Sequence, residues 1–161
     1  MLEPYARLLG TTVTGLWQLA AVSDDGVIPL PGELVLETDA GFVSLSYRQD
    51  GLACTGPVDR ADVRWGTEPW LTMGRADADE WLELVPAAVP GLPLAVTGVT
   101  GWFGVGDWVL PCALVLSGAG DPLVLMTTAD HDLVRTDHRT AREHAEHLTA
   151  VMRMRLVEQR L

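Results

Sequence analysis

Hydrophobic and polar residues alternate along much of the first half of the chain, which is the pattern of half-buried antiparallel strands. In residues 42–48 every second residue is apolar and would face a core, whereas Ser44 and Ser46 would face solvent. Turn-forming sequences at 38–41 and 49–51 separate this run from the strands on either side, and a further turn at 24–26 follows the strand predicted at 12–22. The pattern therefore predicts a meander of short strands over residues 12–55.

Helical periodicity is found in two places. Asp77 and Glu80 match a capping box ahead of a short helix predicted at 78–85. A longer amphipathic helix is predicted at 138–160, because its apolar residues recur every three or four positions on one face: Ala141, Ala145, Leu148, Val151, Met152 and Leu156. The apolar run 108–116 is the natural surface for this helix, since such a run is typical of a strand buried on both faces.

The two halves of the chain resemble each other. Residues 86–93 contain three prolines and divide the chain, and residues 30–36 match residues 110–116 at five of seven positions. An internal duplication, with half-repeats 11–85 and 94–161, and chance similarity between Leu- and Val-rich segments both explain this match. The sequence thus predicts a single α+β domain over 1–161, mainly antiparallel β, in which two similar meanders are covered by a C-terminal amphipathic helix.

Composition and charge exclude several classes of binding partner and of catalytic mechanism. The 161 residues include 22 acidic and 11 basic side chains, a formal charge of −11 that argues against binding to nucleic acid or to an anionic membrane. All the basic residues are arginines, so mechanisms that need a P-loop lysine or a Schiff-base lysine are excluded. No signal sequence or membrane-spanning run is visible and only two cysteines occur, so a cytoplasmic location is expected.

Candidate catalytic and metal-binding residues are few. Four histidines lie between residues 131 and 147, and His144 and His147 could share one helix face as metal ligands. Their spacing matches no zinc-helix motif, so neither a metal nor another cofactor is expected. The serines lie in no nucleophile elbow and the acidic residues are scattered, so no catalytic residue can be named.

Six tryptophans are the strongest binding signal, because tryptophan is enriched at interfaces and in apolar pockets. Several of them lie beside loops or in the glycine-rich segment 97–108. The candidate ligand- or partner-binding residues are Trp65, Trp70, Trp102, Phe103 and Trp108.

Two functions follow from these features. The first is a non-catalytic, acidic interaction module that binds a protein partner, with a basic partner favoured by charge, similar in general character to many bacterial accessory and immunity-type proteins. The alternative is a small-molecule-binding protein or enzyme with a Trp-lined pocket near segment 97–108. A metal site on the C-terminal helix is a third interpretation. A homodimer formed through the apolar helix face is compatible with all three.

Overall fold

Two antiparallel sheets make up most of the molecule. The computed structural model describes residues 2–48, 51–65, 68–69, 80–105, 110–127, 133–136, 142–143, 146 and 156–161. In chain order the elements are the 3-10 turn η1 (Glu3–Leu8), the strands β1 (Thr12–Ser23), β2 (Gly26–Thr38), β3 (Gly41–Arg48) and β4 (Gly51–Val58), the 3-10 turn η2 (Arg60–Asp62), and the strands β5 (Arg64–Trp65), β6 (Glu68–Pro69), β7 (Glu80–Ala87), β8 (Leu94–Ala95), β9 (Gly98–Gly104), β10 (Ala113–Ser117), β11 (Leu123–Thr127), β12 (Leu133–Thr136) and β13 (Leu156–Arg160).

The two sheets have the same strand order. In the first sheet the order is β4-β3-β2-β1-β7, and in the second it is β12-β11-β10-β9-β13. Each is a four-strand meander whose first strand also pairs with a later strand of its own half. The matched sequences 30–36 and 110–116 contribute to β2 and β10, which hold the same place in the two orders. The duplication remains a prediction, which this arrangement supports.

The main core lies between the two sheets. It combines inward-facing residues of the first sheet, such as Leu36 and Leu45, with those of the second, such as Leu114 and Leu125, all of which are fully buried. Tyr5 and Leu8 of η1 join the same cluster and are also fully buried. The alternation of apolar residues therefore fixes which face of each strand packs inward.

The outward faces of both sheets are also apolar in part. In β10, Ala113 and Val115 are buried on the side opposite the main core, so this strand is buried on both faces, as its continuous apolar run predicts. In β3, by contrast, Ser44 and Ser46 are buried although the alternation predicts that they face solvent. Alternation shows which residues share a face of a strand, but not whether that face reaches water.

One stretch of chain passes from the first sheet to the second. β8 pairs with the beginning of β1, and β9, which is separated from β8 by two residues, pairs with β10. Strands that switch sheets in this way form the corners of packed β-structures. Gly118 lies against this corner, and a Cβ atom at this position would lie 2.4 Å from the carbonyl oxygen of Ala95.

Both predicted helices are wrong. Residues 80–87 form strand β7, every residue of which pairs with β1, so long-range pairing overrides the local capping signal. Residues 156–160 form strand β13 on β9, and no helix of seven or more residues occurs among the described residues. The α+β class with a covering C-terminal amphipathic helix is therefore replaced by antiparallel β.

The rest of the predicted C-terminal helix is only sparsely described. Arg142, Glu143 and Glu146 are exposed and have helical backbone. Leu148 and the remainder of the predicted apolar face before residue 156 lie outside the described residues. Within the described ranges, no helix is long and apolar enough to cross a membrane.

Candidate functional site

The structure does not bring the predicted aromatic site together. Trp102 and Phe103 are adjacent in β9 and therefore point to opposite faces of the sheet, where each is buried in a different apolar cluster. Trp65 lies in β5, of which only the backbone is described. The remaining predicted site residues lie outside the described residues: Trp70, Trp108, His144 and His147.

Gly101, in the middle of the glycine-rich segment 97–108, lies in close contact with neighbouring side chains. A Cβ atom at Gly101 would lie 2.6 Å from Cδ2 of Leu2 and 3.0 Å from the ring of Phe103. A side chain here would therefore require the side chain of Leu2 and the ring of Phe103 to shift. This contact explains why glycine occupies this position without any ligand.

Trp17 lies on the outer face of the first sheet and contacts side chains of two other elements. The sequence alone does not mark it as a site residue. Its indole Nε1 donates a hydrogen bond of 2.9 Å to Oε2 of Glu37, and the guanidinium of Arg60 lies 5.6 Å from its ring centroid. That separation is within the range of cation–π attraction. Trp17 thus ties η2 to the sheet, and Val63, which follows η2, is buried beside it.

Neither thiol is suited to nucleophilic chemistry. Burial raises the pKa of Cys54 to about 11, and the positive charge of Arg7 lowers it only in part. Burial likewise raises the pKa of Cys112 to about 11, with backbone hydrogen bonds acting in the opposite direction. Both side chains are therefore neutral thiols near pH 7, whereas a reactive cysteine needs a lowered pKa.

The described part of the chain contains neither a candidate metal-binding cluster nor an unsatisfied buried polar side chain. Among these residues, no group of three or more His, Cys, Asp and Glu side chains could hold a metal ion. Every buried side-chain nitrogen or oxygen atom described there has a hydrogen-bond partner.

The most distinctive surface is the end of the β1–β2 hairpin, residues 24–29, which we call the hairpin tip. All six of its residues are exposed: Asp24, Asp25, Gly26, Val27, Ile28 and Pro29. Val27 is 53% exposed and Ile28 is 67% exposed, although both lie within a regular strand. Two aliphatic side chains thus reach water directly beside two carboxylates.

Strand pairing explains why the hairpin tip protrudes. Val27 pairs with Val22 and Ile28 pairs with Ala21, whereas β3 pairs with β2 only from Glu33 onward. No described strand lies along the other edge of β2 between residues 26 and 32. The exposed side chains of Val27 and Ile28 lie on the part of β2 that pairs with β1 alone.

The sequence carried two partial signals for this surface. The acidic turn 24–26 was predicted, and Pro29 and Pro31 in the strand that follows are typical of a sheet edge, because proline cannot donate a ladder hydrogen bond. The exposure of Val27 and Ile28 could not be predicted, since an apolar pair in a strand is more often buried.

Comparison with known proteins adds no assignment: no protein-family model, no curated protein and no solved structure matches this chain. The function has to be inferred from the residues of the hairpin tip and from the charge of the chain.

Proposed function

We propose that this protein is a non-catalytic interaction module that binds a basic segment of a partner protein through the hairpin tip. The observation that carries the proposal is the exposure of Ile28 and Val27 immediately beside Asp24 and Asp25. The surplus of acidic residues in the whole chain favours a basic partner.

The two kinds of side chain have different roles in this proposal. Val27 and Ile28 are adjacent in β2 and therefore point to opposite faces of the hairpin tip, so the partner has to contact both faces to bury both side chains. This burial supplies affinity, at roughly 25 cal/mol for each Å² of apolar surface removed from water. The carboxylates of Asp24 and Asp25 attract a positively charged partner and disfavour an acidic one. Association should therefore be faster at low salt than at high salt, since exposed charges are screened.

The alternative small-molecule pocket near segment 97–108 has no comparable support. Trp102 and Phe103 are buried on opposite faces of β9, so they cannot line one cavity together. We place the module in the cytoplasm, because Cys54 and Cys112 are both free thiols and disulfides are rare there.

The experiment compares capture of partners from the native lysate by three immobilised proteins. These are the wild type, the double variant Val27→Ser/Ile28→Ser, and Val105→Ser, which changes a similarly exposed valine (56%) at the end of β9. The wild type and Val105→Ser should capture the same basic protein in stoichiometric amounts. The double variant should lose it, although its unfolding transition is unchanged.

Two results would overturn the proposal. One is the absence of any stoichiometric partner that the wild type and Val105→Ser share. The other is a partner that the double variant retains in equal amount, or whose association rate does not fall as salt is raised.

A further inference from the structure

The two faces of the first sheet can be followed along β1 to its end. β1 pairs with β7 without a break from Leu16 to Ser23, so its side chains alternate regularly between the two faces. Leu16 belongs to the main core, whereas Leu19 belongs to the cluster on the outer face. Val22 therefore lies on the core side of the sheet, and Ala21 lies on the outer side.

Strand pairing extends this assignment to the exposed aliphatic residues of the hairpin tip. Val27 lies opposite Val22 and faces the core side, while Ile28 lies opposite Ala21 and faces the outer side. Val27 is nevertheless 53% exposed, so the packing that covers the main core ends before the tip. Ile28 is 67% exposed on the other side. The hairpin tip thus presents apolar surface to water on both of its faces.

A bulge in β2 separates the hairpin tip from the packed part of the sheet. Gln18 pairs with Leu34 and Ala20 pairs with Pro29, so the four residues 30–33 of β2 stand opposite a single residue of β1. Bulges bend a strand and redirect its side chains, and they are frequent beside functional sites. Leu34, on one side of the bulge, is 1% exposed, whereas Pro29, on the other side, is exposed. The change from core to surface in β2 therefore coincides with the bulge.

The two carboxylates of the hairpin tip occupy its end. Asp24 and Asp25 form the turn between Ser23 and Gly26, which are the last paired residues of the hairpin. Ile28 lies three residues after Asp25, which corresponds to about 10 Å along a strand. From its end backwards, the hairpin tip therefore presents negative charge first and apolar surface on two faces next.

We infer that the basic segment of the partner lines a cleft, at least about 10 Å deep, into which the hairpin tip inserts end-first. A flat surface covers only one face of the tip and would leave either Val27 or Ile28 in water. In the cleft, apolar walls cover both side chains, and cationic side chains at the floor meet Asp24 and Asp25. This inference rests on the proposed function and adds the shape and the chemistry of the partner's site.

Single substitutions separate a cleft from a flat contact. Affinities for the captured and purified partner are measured by calorimetry. Val27→Ser and Ile28→Ser should each weaken binding by at least about tenfold, because each removes the contact on one face. Val105→Ser should bind like the wild type. A flat contact predicts that only one of the two single variants at the tip is impaired.

Thiol protection tests directly whether both faces are covered. Val27→Cys and Ile28→Cys place a thiol on each face, and both should react with a maleimide in the free protein, since both positions are exposed. In the complex both thiols should be protected. The thiol introduced by Val105→Cys is the control and should react at the same rate in the free protein and in the complex. The two native thiols are buried and should not interfere.

A charge-matched pair of variants tests the basic floor of the cleft. Asp24→Asn/Asp25→Asn should weaken binding by at least about tenfold and reduce its dependence on salt, because the removed carboxylates meet cations inside the cleft. Glu3→Gln/Asp121→Asn removes two other exposed carboxylates and should change the affinity by less than about twofold. Equal effects of the two double variants would mean that only net charge matters, and would overturn the basic floor.

The results distinguish failure of this inference from failure of the proposed function. If the wild type captures no partner, both fail. If the double variant Val27→Ser/Ile28→Ser loses the partner but only one single variant is impaired, or only one introduced thiol is protected, the tip binds a flat surface and the cleft alone is refuted. Overlapping synthetic peptides of the partner's sequence should not bind, because a cleft needs the folded partner. Peptide binding as tight as that of the folded partner would mean that a flexible segment wraps the tip, which also refutes the cleft.

Discussion

The hydroxyl of Tyr5 donates a hydrogen bond to the backbone carbonyl of Leu52, and the N–H of Leu52 donates to the carbonyl of Pro111. Tyr5 belongs to η1, Leu52 to β4 of the first sheet, and Pro111 to the segment leading into β10 of the second. These two bonds join the N-terminal turn to both sheets inside the main core, where Tyr5 is fully buried.

Tyr5→Phe should lower the free energy of unfolding by about 1–3 kcal/mol, because it removes a buried donor and leaves the Leu52 carbonyl without it. Urea unfolding with an unchanged m-value would measure this loss. The control is Thr14→Ala, which removes an exposed 3.3 Å contact to the carbonyl of Glu37 and should cost less than about 0.5 kcal/mol. Equal stability of Tyr5→Phe and the wild type would show that the bond contributes nothing.

Gly118→Ala should destabilise the fold, whereas Gly120→Ala in the same turn should not. A Cβ atom at Gly118 would lie 2.4 Å from the Ala95 carbonyl, a backbone atom that cannot move alone, whereas nothing lies within 4 Å of a Cβ at Gly120. Overpacking of this kind costs about 1–3 kcal/mol. Thermal unfolding of both variants measures the difference, and similar melting temperatures would mean that β8 does not approach the turn this closely.

The sequence predicts structure well where the signal is local. Alternation and turn residues located the strands from β1 to β4, because a two-residue period and a sharp turn need no information from distant parts of the chain. The edge strands β7 and β13 were both predicted as helices. Their positions depend on pairing with β1 and β9, and short Leu- and Val-containing segments fit either period.

The candidate site was less predictable than the fold. Trp102 and Phe103 were selected because aromatic residues are enriched in binding sites, yet their alternation in β9 places both in apolar clusters. The exposure of Val27 and Ile28 has no local sequence signal, because nothing in the local sequence distinguishes a protruding strand end from a buried one. The exposure of these two side chains depends on where the pairing of β3 with β2 stops. The end of that pairing depends on the packing of the whole sheet.

Leu36→Ala and Ile28→Ala should differ strongly in stability, although both remove three side-chain carbons from β2. Leu36 is fully buried between the sheets, so its loss should cost about 2–5 kcal/mol. Ile28 is mostly exposed, so its loss should cost less than about 1 kcal/mol. Chemical denaturation of both variants tests this contrast. A large cost for Ile28→Ala would mean that the hairpin tip is packed in the isolated protein, and would remove the basis of the proposed function.

The two thiols should make the protein less stable in alkali. Burial raises the pKa of Cys54 and Cys112 from the ordinary thiol value of 9.0 to about 11, so between these values the unfolded chain loses protons that the folded chain retains. Stability is therefore fully present below pH 9 and falls as pH rises toward 11, by on the order of 2 kcal/mol for each thiol. No lysine titrates in this window, because the chain has none.

Urea unfolding at pH 8 and pH 10.5 measures this effect when the wild type is compared with the variant Cys54→Ala/Cys112→Ala. The variant loses some stability at both pH values because it leaves small cavities, but its loss between them should be smaller than that of the wild type. All ionisable groups other than the two thiols are shared by both proteins, so the difference between them isolates the thiols. Both native thiols should also resist a thiol reagent at pH 8 until urea unfolds the chain, since the thiolate is the reactive form. Rapid labelling of the folded protein, or identical pH slopes for the two proteins, would contradict the burial of the two side chains.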